Sequence, residues 1–407
     1  MTVYAATSET SSTRLWGLDS TRRLQRQLLE ISKTLSGDLS DIQWLDDLDK
    51  VPENSRILVI NGNFLFESRT LRGVLARPDT VLSHPDNHSA AAAFVDSCRL
   101  PGVLAYFRED NRPLPPGLKM IQPGDMAAFD ESLRRSTTPL LETISTQRKN
   151  ELEDQLYGNA YRGITDLVTK FAWPRPAKRM VHVCANTGVT PNMVTSAGLL
   201  LVIAACYFFW KGQYGWGLLA GWIMTFLDTV DGKLARVTIK SSKFGHLFDH
   251  GIDLFHPPFW YIYWGMSLLD FQPVMGIDQQ QMYWLIIIAY VVGRIVEGVF
   301  PLLGNCSIFT WRPYDAWFRL VTARRNPNLI LLSLSILVAK PEWGFVAVVF
   351  WSVFTSMILV LRLLYAVMVR LTQGPLSSWL SKDDVATGPN ARTYAIFGTT
   401  RGAYAPK

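Results

Sequence analysis

Apolar and polar positions change their rhythm once along the chain. Up to about residue 160 they alternate over short distances, with charges throughout; from 194 to 370 long apolar runs dominate. In the first part, TRRLQRQLLEISKTL (21–35) spaces its apolar residues as one face of a helix. RILVI (56–60) reads as a buried strand, NGNFLF (61–66) as a turn, TLRGVLA (70–76) as a helix and TVLSH (80–84) as a second strand. Strand, turn, helix and strand in succession predict a small α/β domain, preceded by a loose Ser/Thr-rich stretch over 1–13. Residues 128–160 combine helical spacing with many charges and predict a linker helix. Residues 165–188 mix Lys170, Trp173, Arg175, Lys178 and Arg179 with apolar positions, which suits a helix lying in a membrane interface.

The apolar runs that follow predict membrane spans at 194–210, 214–227, 247–269, 284–306, 329–339 and 344–369. The fifth is short for a bilayer, which asks for roughly 20 apolar residues, and Pro257–Pro258 predicts a kink in the third. Connections carrying Lys178/Arg179, Lys233/Arg236/Lys240/Lys243, Arg312/Arg319/Arg324/Arg325 and Arg370 alternate with connections nearly free of Lys and Arg, at 210–215, 270–281 and 340–343. That alternation requires six crossings and places the basic loops and both termini in the cytoplasm. The expected architecture is an all-α polytopic membrane domain with six transmembrane helices plus an interfacial helix, behind a small N-terminal cytoplasmic α/β domain. Expected boundaries are 1–140 for the α/β domain, 141–190 for the linker and interfacial helix, 191–372 for the membrane domain and 373–407 for a cytoplasmic tail.

The formal net charge of +6 fits basic cytoplasmic loops and gives no ground for a nucleic-acid partner. Four scattered cysteines, Cys98, Cys184, Cys206 and Cys306, form no C-x-x-C pair and argue against a zinc or disulfide framework. The first 15 residues lack the basic stretch and apolar run of a cleaved leader, so the N-terminal domain is expected to stay in the cytoplasm.

Four carboxylates do not fit this greasy setting. In DTVDGKLARVTIKSSKFGHLFDHGID (228–253), Asp228 and Asp231 end the second span, and Asp249 and Asp253 begin the third. Spacings of three and four put each pair on one helix face, and two antiparallel helices can bring those faces together. Four like charges near a membrane need cations, and hard oxygen donors select Mg²⁺, Mn²⁺ or Ca²⁺, most naturally as a pair of ions. Gly232 and Ala235 leave room for a close approach, and Arg236 can meet a phosphate. Divalent ions and small residues at a helix end together describe a diphosphate site.

The ordered pattern Asp228, Asp231, Gly232, Ala235, Arg236, Gly245, Asp249, Asp253 resembles the signature of the CDP-alcohol phosphotransferase family. PN-x-x-T before the first span, as Pro191, Asn192 and Thr195, resembles it too. The resemblance covers about residues 160–372. It implies a homodimeric membrane enzyme that moves a substituted phosphate from a CDP-alcohol to a second alcohol and releases CMP. It implies Asp228, Asp231 and Asp249 as ligands of Mg²⁺ or Mn²⁺, two ions per site, with Asp253 a further ligand and the general base. Gly232, Ala235 and Gly245 would pack against the cytidine diphosphate, with Arg236 beside it. The alcohols stay open between CDP-diacylglycerol with a polar acceptor and a CDP-polyol with a lipid or polyol acceptor.

Other signals have milder readings beside the functional one. His246 and His250 are spaced as a zinc pair, but support of the aspartates by His246, His250 and His256 suits the oxygen chemistry better. Arg294 and Glu297 form either a structural intramembrane pair or, through Arg294, an acceptor contact. Arg319, Arg324 and Arg325 are further candidates for acceptor contact, although the positive-inside bias alone explains them. The N-terminal domain loosely resembles a nucleotidyltransferase without a Gly-rich loop, which favours a degenerate, non-catalytic or regulatory domain over a cytidylyltransferase. A cation transporter would explain the spans and buried acids but not the Gly232–Ala235–Arg236 spacing.

Overall fold

In the computed structural model, residues 2–108, 113–240 and 243–399 are described, the side chains of 243, 244 and 246 excepted. Two units divide them. The first comprises Met1–Phe129, Thr137–Tyr157 and Val237–Ile239; the second comprises Asp130–Ser136, Gly158–Arg236 and the residues from Lys240 onward.

In the first unit β1 (Val3–Thr10), α1 (Ser20–Ser32), β2 (Ile42–Trp44), β3 (Arg56–Gly62), β4 (Phe64–Phe66), α2 (Ser68–Leu75), β5 (Thr80–Ser83), β6 (Ala90–Asp96), α3 (Leu100–Arg108) and β7 (Lys119–Ile121) follow one another. Six strands form one sheet in the order β2-β1-β3-β6-β5-β7, with β6 antiparallel to both neighbours and the other pairs parallel. Alternation along β3 feeds two cores. Leu58 and Ile60 pack with Leu24, Leu28, Leu71 and Val74 of α1 and α2, whereas Ile57 and Val59 pack with Leu100 and Val103.

Three local expectations are corrected here. Residues 3–10 are not loose: β1 pairs in parallel with β3, and Val3 and Ala5 are buried. Tertiary pairing overrides the Ser/Thr-rich composition. The stretch 61–66 is not simply a turn, since β3 runs on through Gly62 and β4 follows after one residue. Finally, no single helix spans 128–160. Short strands β8 (Phe129–Asp130), β9 (Arg135–Ser136) and β10 (Leu141–Thr143) precede α4 (Lys149–Asn159), and β10 pairs antiparallel with β4. Pro139 and the β-branched Thr137–Thr138 beside it disfavour the helical conformation that the spacing alone suggested.

The second unit is mainly helical. A π-type turn over Val168–Ala172 leads into α5 (Pro174–Thr187), which buries Ala177, Val181 and Cys184 and exposes Met180 and Val183. Then come α6 (Pro191–Trp210), α7 (Tyr214–Thr238), α8 (Lys243–Met266), α9 (Gln279–Val299), α10 (Ile308–Trp311), α11 (Pro313–Val321), α12 (Arg325–Leu337), α13 (Pro341–Gln373) and α14 (Ala391–Phe397). Among the described residues three helices are long and apolar enough to cross a membrane: Pro191–Trp210, Gln279–Leu303 and Pro341–Gln373.

Sequence sets these ends locally. Thr190 caps α6 by accepting from Met193 N, with Pro191 at the first helical position. Asp278 and Gln281 form a reciprocal cap on α9. Fully buried Phe209, Trp260, Trp264 and Phe345 make the core, with Phe209 and Trp264 rings 5.1 Å apart. Helix α8 continues through Pro257 and Pro258, which withdraw the donors that would serve the carbonyls of Asp253 and Leu254. The hydroxyl of Tyr290 on α9 replaces one of them, donating to Leu254 O at 2.7 Å.

Candidate active site

The last turns of α7 and the first turns of α8 carry the acidic residues. Spacings of three on α7 and four on α8 turn each pair to one face. Oxygens of Asp228, Asp249 and Asp253 all lie within 4.8 Å of one another. Asp231 is buried beside them, and its Oδ2 accepts from Thr195 Oγ1 of α6 at 2.7 Å. The threonine of the P-N-x-x-T stretch therefore anchors the second aspartate of the motif.

Arg325, the first residue of α12, reaches into this cluster. Its Nη1 donates to Asp253 Oδ1 and its Nη2 to Asp228 Oδ2, each at 2.5 Å. Sequence reasoning grouped Arg325 with acceptor contacts; the structure places it among the carboxylates. Three carboxylates and one guanidinium leave an excess of negative charge. An all-oxygen donor set of this kind suits a hard divalent cation.

A cavity of about 490 Å³ opens from the cluster and is lined by Asp228, Asp231, Asp249 and Asp253 at one part. Gly232 and Arg236 also line it. A Cβ on Gly232 would meet nothing within 4 Å, so the backbone there is open to a ligand. Arg236 is tied by its Nη1 to Ala160 O at 2.7 Å. Ala235, on α7, and Gly245, at the start of α8, are half-buried and not among the lining residues.

Another part of the wall is rich in arginine. Arg294 Nη2 of α9 bonds Glu297 Oε1 at 2.9 Å, and Arg324 pairs with Glu297 through Oε2. Arg319 of α11 is 9% exposed, lies over the Phe309 ring, and has no partner for Nε or Nη1. Burial pushes its guanidinium down to about 10, against the opposing charge of Asp166. Asp166 accepts from Val168 N, Thr169 N and Asn326 Nδ2 at 3.1, 3.0 and 2.9 Å. Burial alone would raise its pKa, but Arg319 and these hydrogen bonds hold it below the usual carboxylate range.

The sequence did not single out Asp166, Asn326, Tyr290, Lys233, Arg134 or Arg162. Five of them lie outside the spacing pattern, and only the fold brings them to the cavity. Lys233 lies within the acidic motif, buried over the Tyr161 ring, where it reads as one more basic-loop charge. The histidines divide. His250 lines the cavity, whereas His256 lies with Nδ1 2.6 Å from Ile252 O and its ring against Trp260, so it supports backbone and core rather than a carboxylate. The side chain of His246 lies outside the described residues.

Comparison with known proteins bears on this geometry. Residues 188–381 match the family model described as CDP-alcohol phosphatidyltransferase. The chain is 42% identical over 82 residues to the archaetidylinositol phosphate synthase of Pyrococcus horikoshii, covering 19% of this chain and 42% of that one. It is 34% identical over 123 residues to cholinephosphotransferase 1 of Gallus gallus, covering 27% and 35%. It is 37% identical over 67 residues to the phosphatidylinositol phosphate synthase of Streptomyces avermitilis, covering 16% and 28%. The chain thus spans less than half the length of each of these relatives.

Proposed function

From the match of residues 188–381 to the CDP-alcohol phosphatidyltransferase family model, we propose that the protein is an integral-membrane transferase that moves a substituted phosphate from a CDP-alcohol to an acceptor hydroxyl, releasing CMP, in phospholipid or polar-lipid synthesis. One observation carries this reading. Asp228, Asp249 and Asp253 of the spaced motif converge within 4.8 Å in the lining of a cavity that is also lined by arginines.

Asp228, Asp231, Asp249 and Asp253 are assigned to hold divalent metal, Mg²⁺ or Mn²⁺, as a pair. Such a metal supplies positive charge at the phosphoryl oxygens and stabilises the departing CMP. Gly232 gives the cytidine diphosphate its backbone approach, Ala235 and Gly245 keep the helices slim on either side, and Arg236 stands beside the diphosphate. Asp253 takes the proton of the acceptor hydroxyl as the new O–P bond forms and the P–O bond to CMP breaks. Arg325 orients Asp253 through its hydrogen bond. Arg294, Arg319 and Arg324 face the acceptor.

Six crossings by α6, α7, α8, α9, α12 and α13, with α5 in the interface, complete the proposal. It places the enzyme as a homodimer in the cytoplasmic membrane, active site and termini inside. The N-terminal domain is assigned a non-catalytic role. In α/β sheets ligands bind beyond the carboxyl ends of strands. There, between β1 and α1, Leu15 and Trp16 are buried, and Trp16 is fixed by Glu153 through both its backbone N (2.9 Å) and its indole (3.0 Å).

The test is CMP release by purified full-length protein with Mg²⁺, across CDP-diacylglycerol and CDP-polyol donors and polar or lipid acceptors. Asp253→Asn is expected to lower turnover by about 10²- to 10⁴-fold with an unchanged melting temperature. Wild-type turnover in that variant removes the base assignment.

A further inference from the structure

Building on the transferase reading, we propose that the N-terminal domain positions the first two motif aspartates: Arg23 and Arg26 of α1 clamp the carboxyl end of α7 and so hold the helix that carries Asp228 and Asp231. Neither arginine lies within the matched family region, which begins at residue 188. Both are positioning residues that act through the α7 backbone.

The helix end comes first. The last four carbonyls of an α-helix lack intrahelical donors, and in α7 these belong to Ala235, Arg236, Val237 and Thr238. Ala235 O accepts from Lys240 N at 2.9 Å. Arg23 Nη2 donates to Val237 O at 3.2 Å, and Arg26 Nη1 donates to Thr238 O at 2.8 Å. Cations placed there also meet the negative end of the helix dipole. Val237, Thr238 and Ile239 are buried and belong to the first unit, although α7 is one continuous helix from Tyr214 to Thr238. Ile239, directly after the helix, has φ +49. Glycine usually takes this left-handed position, and a β-branched side chain there is an outlier. Such strain persists only where the surroundings over-determine it, and two guanidiniums on the preceding carbonyls supply that constraint.

The anchor of the clamp comes second. Arg23 is buried, and its Nη2 also donates to Leu15 O at 2.8 Å. Leu15 and Leu18 exchange both backbone hydrogen bonds across a tight turn with positive φ at Trp16 and Gly17. Glu153 fixes that turn through Trp16. The turn lies beyond the carboxyl end of β1, the position at which α/β sheets bind ligands; here it steadies a guanidinium that holds α7. Helix α1 is fixed in turn by Leu24 and Leu28 in the core and by Gln27, whose Nε2 donates to Phe66 O at 2.8 Å. From Asp231 to Thr238 the helix rises about 10 Å at 1.5 Å per residue, so a shift or rotation of its carboxyl end carries the aspartates with it. The convergence of Asp228 with Asp249 and Asp253 within 4.8 Å depends on that register.

The test is Mn²⁺ binding to the detergent-solubilised full-length protein, followed by electron paramagnetic resonance without donor or acceptor, with CMP release measured in parallel. Arg26→Ala is expected to weaken Mn²⁺ affinity by about tenfold, the low end of what residues standing behind metal ligands contribute. Arg26→Lys keeps a cation and a donor and is expected to recover most of that affinity. Val74→Ala is the control. It opens a cavity in the core of the same domain, and is expected to lower the melting temperature while leaving Mn²⁺ affinity unchanged. Should Arg26→Ala not fold, Arg23→Lys, which shortens the reach to Val237 O, carries the same comparison with Val74→Ala. Unchanged Mn²⁺ affinity in a folded Arg26→Ala protein, or an equal loss in Val74→Ala, overturns the proposal. Failure of the transferase reading looks different: no donor yields CMP, while the loss of Mn²⁺ affinity in Arg26→Ala and its recovery in Arg26→Lys persist.

Discussion

At the scale of single residues, the site depends on partners that hold its carboxylates in place. Asp231 is buried, and among the described residues Thr195 is its side-chain donor. Thr195→Val keeps the shape and removes the hydroxyl, leaving a buried oxygen unpaired. We expect a turnover loss of about 10- to 100-fold, consistent with about 1.5–3 kcal/mol for a hydrogen bond to a charged group, seen in CMP release at saturating donor. An unchanged rate would mean that the orientation of Asp231 does not matter to the chemistry. Arg325 is the opposite case, one cation between two acids, Asp228 and Asp253. Breaking a fully buried pair by removing one partner costs about 3–5 kcal/mol, and these partly exposed carboxylates recover part of that from water. Arg325→Ala is therefore expected to melt well below the wild type. Added Mg²⁺ should restore more of its melting temperature than it adds to the wild type, since a bound cation replaces the missing charge. Equal Mg²⁺ shifts in the two proteins would argue against a metal at these carboxylates.

At the scale of elements, α8 and α9 are coupled where α8 is weakest. Tyr290→Phe leaves the Leu254 carbonyl beside Pro258 without its donor. It is expected to destabilise the protein by about 1–3 kcal/mol, read as a lower melting temperature, and to loosen the helix turn that carries Asp253. The turn at 168–172 offers a pH test. Lys170 is fully buried, donates to Gly163 O at 2.7 Å, and is pushed down to about 8 by burial. Between about pH 8 and 10.5 the unfolded chain keeps a proton that the folded chain has lost, so stability rises with pH across that window. Lys170→Met should flatten this rise in melts from pH 7 to 10; an identical slope would show that Lys170 does not contribute to it. These elements also show what was legible in the sequence. The helices around the site follow long apolar runs ended by Pro, Thr and Asp caps, signals that need no partner to be read. The motif on α7 and α8 was legible because its spacing encodes a helix face. Residues 128–160 were not, since β10 exists only by pairing with β4, and Pro139 competes with a helical rhythm that is genuine elsewhere in the stretch. Arg134 was invisible for the same reason: its place depends on Gly163, bonded to Leu133 O, and on Tyr394 and Gly398, bonded to Ser136, all distant in sequence.

At the scale of the whole molecule, α12 decides the membrane topology. Its 13 residues rise about 20 Å at 1.5 Å each, against a hydrocarbon core of about 30 Å. Yet the connection at 340–343 after it carries one Lys and no Arg, while residues 311–328 before it are strongly basic. The charge bias places these two stretches on opposite sides. Three helices, α9, α12 and α13, separate residue 272 from residue 382. If all three cross, the two positions face opposite compartments; if α12 fails to cross, they share one. Of the four free cysteines Cys98 is the exposed one, so Cys98→Ser provides the background. Gln272→Cys should then react with a membrane-impermeant maleimide on intact cells, and Lys382→Cys only after permeabilisation. Labelling of both on the same side would reduce the crossings to an even number between them. The basic stretch at 311–328 precedes α12, so it stays on the side of the α7 and α8 ends in either case. Arg319, Arg324 and Arg325 therefore keep to the side of the aspartates whether or not α12 crosses, and the labelling tests the fifth crossing alone.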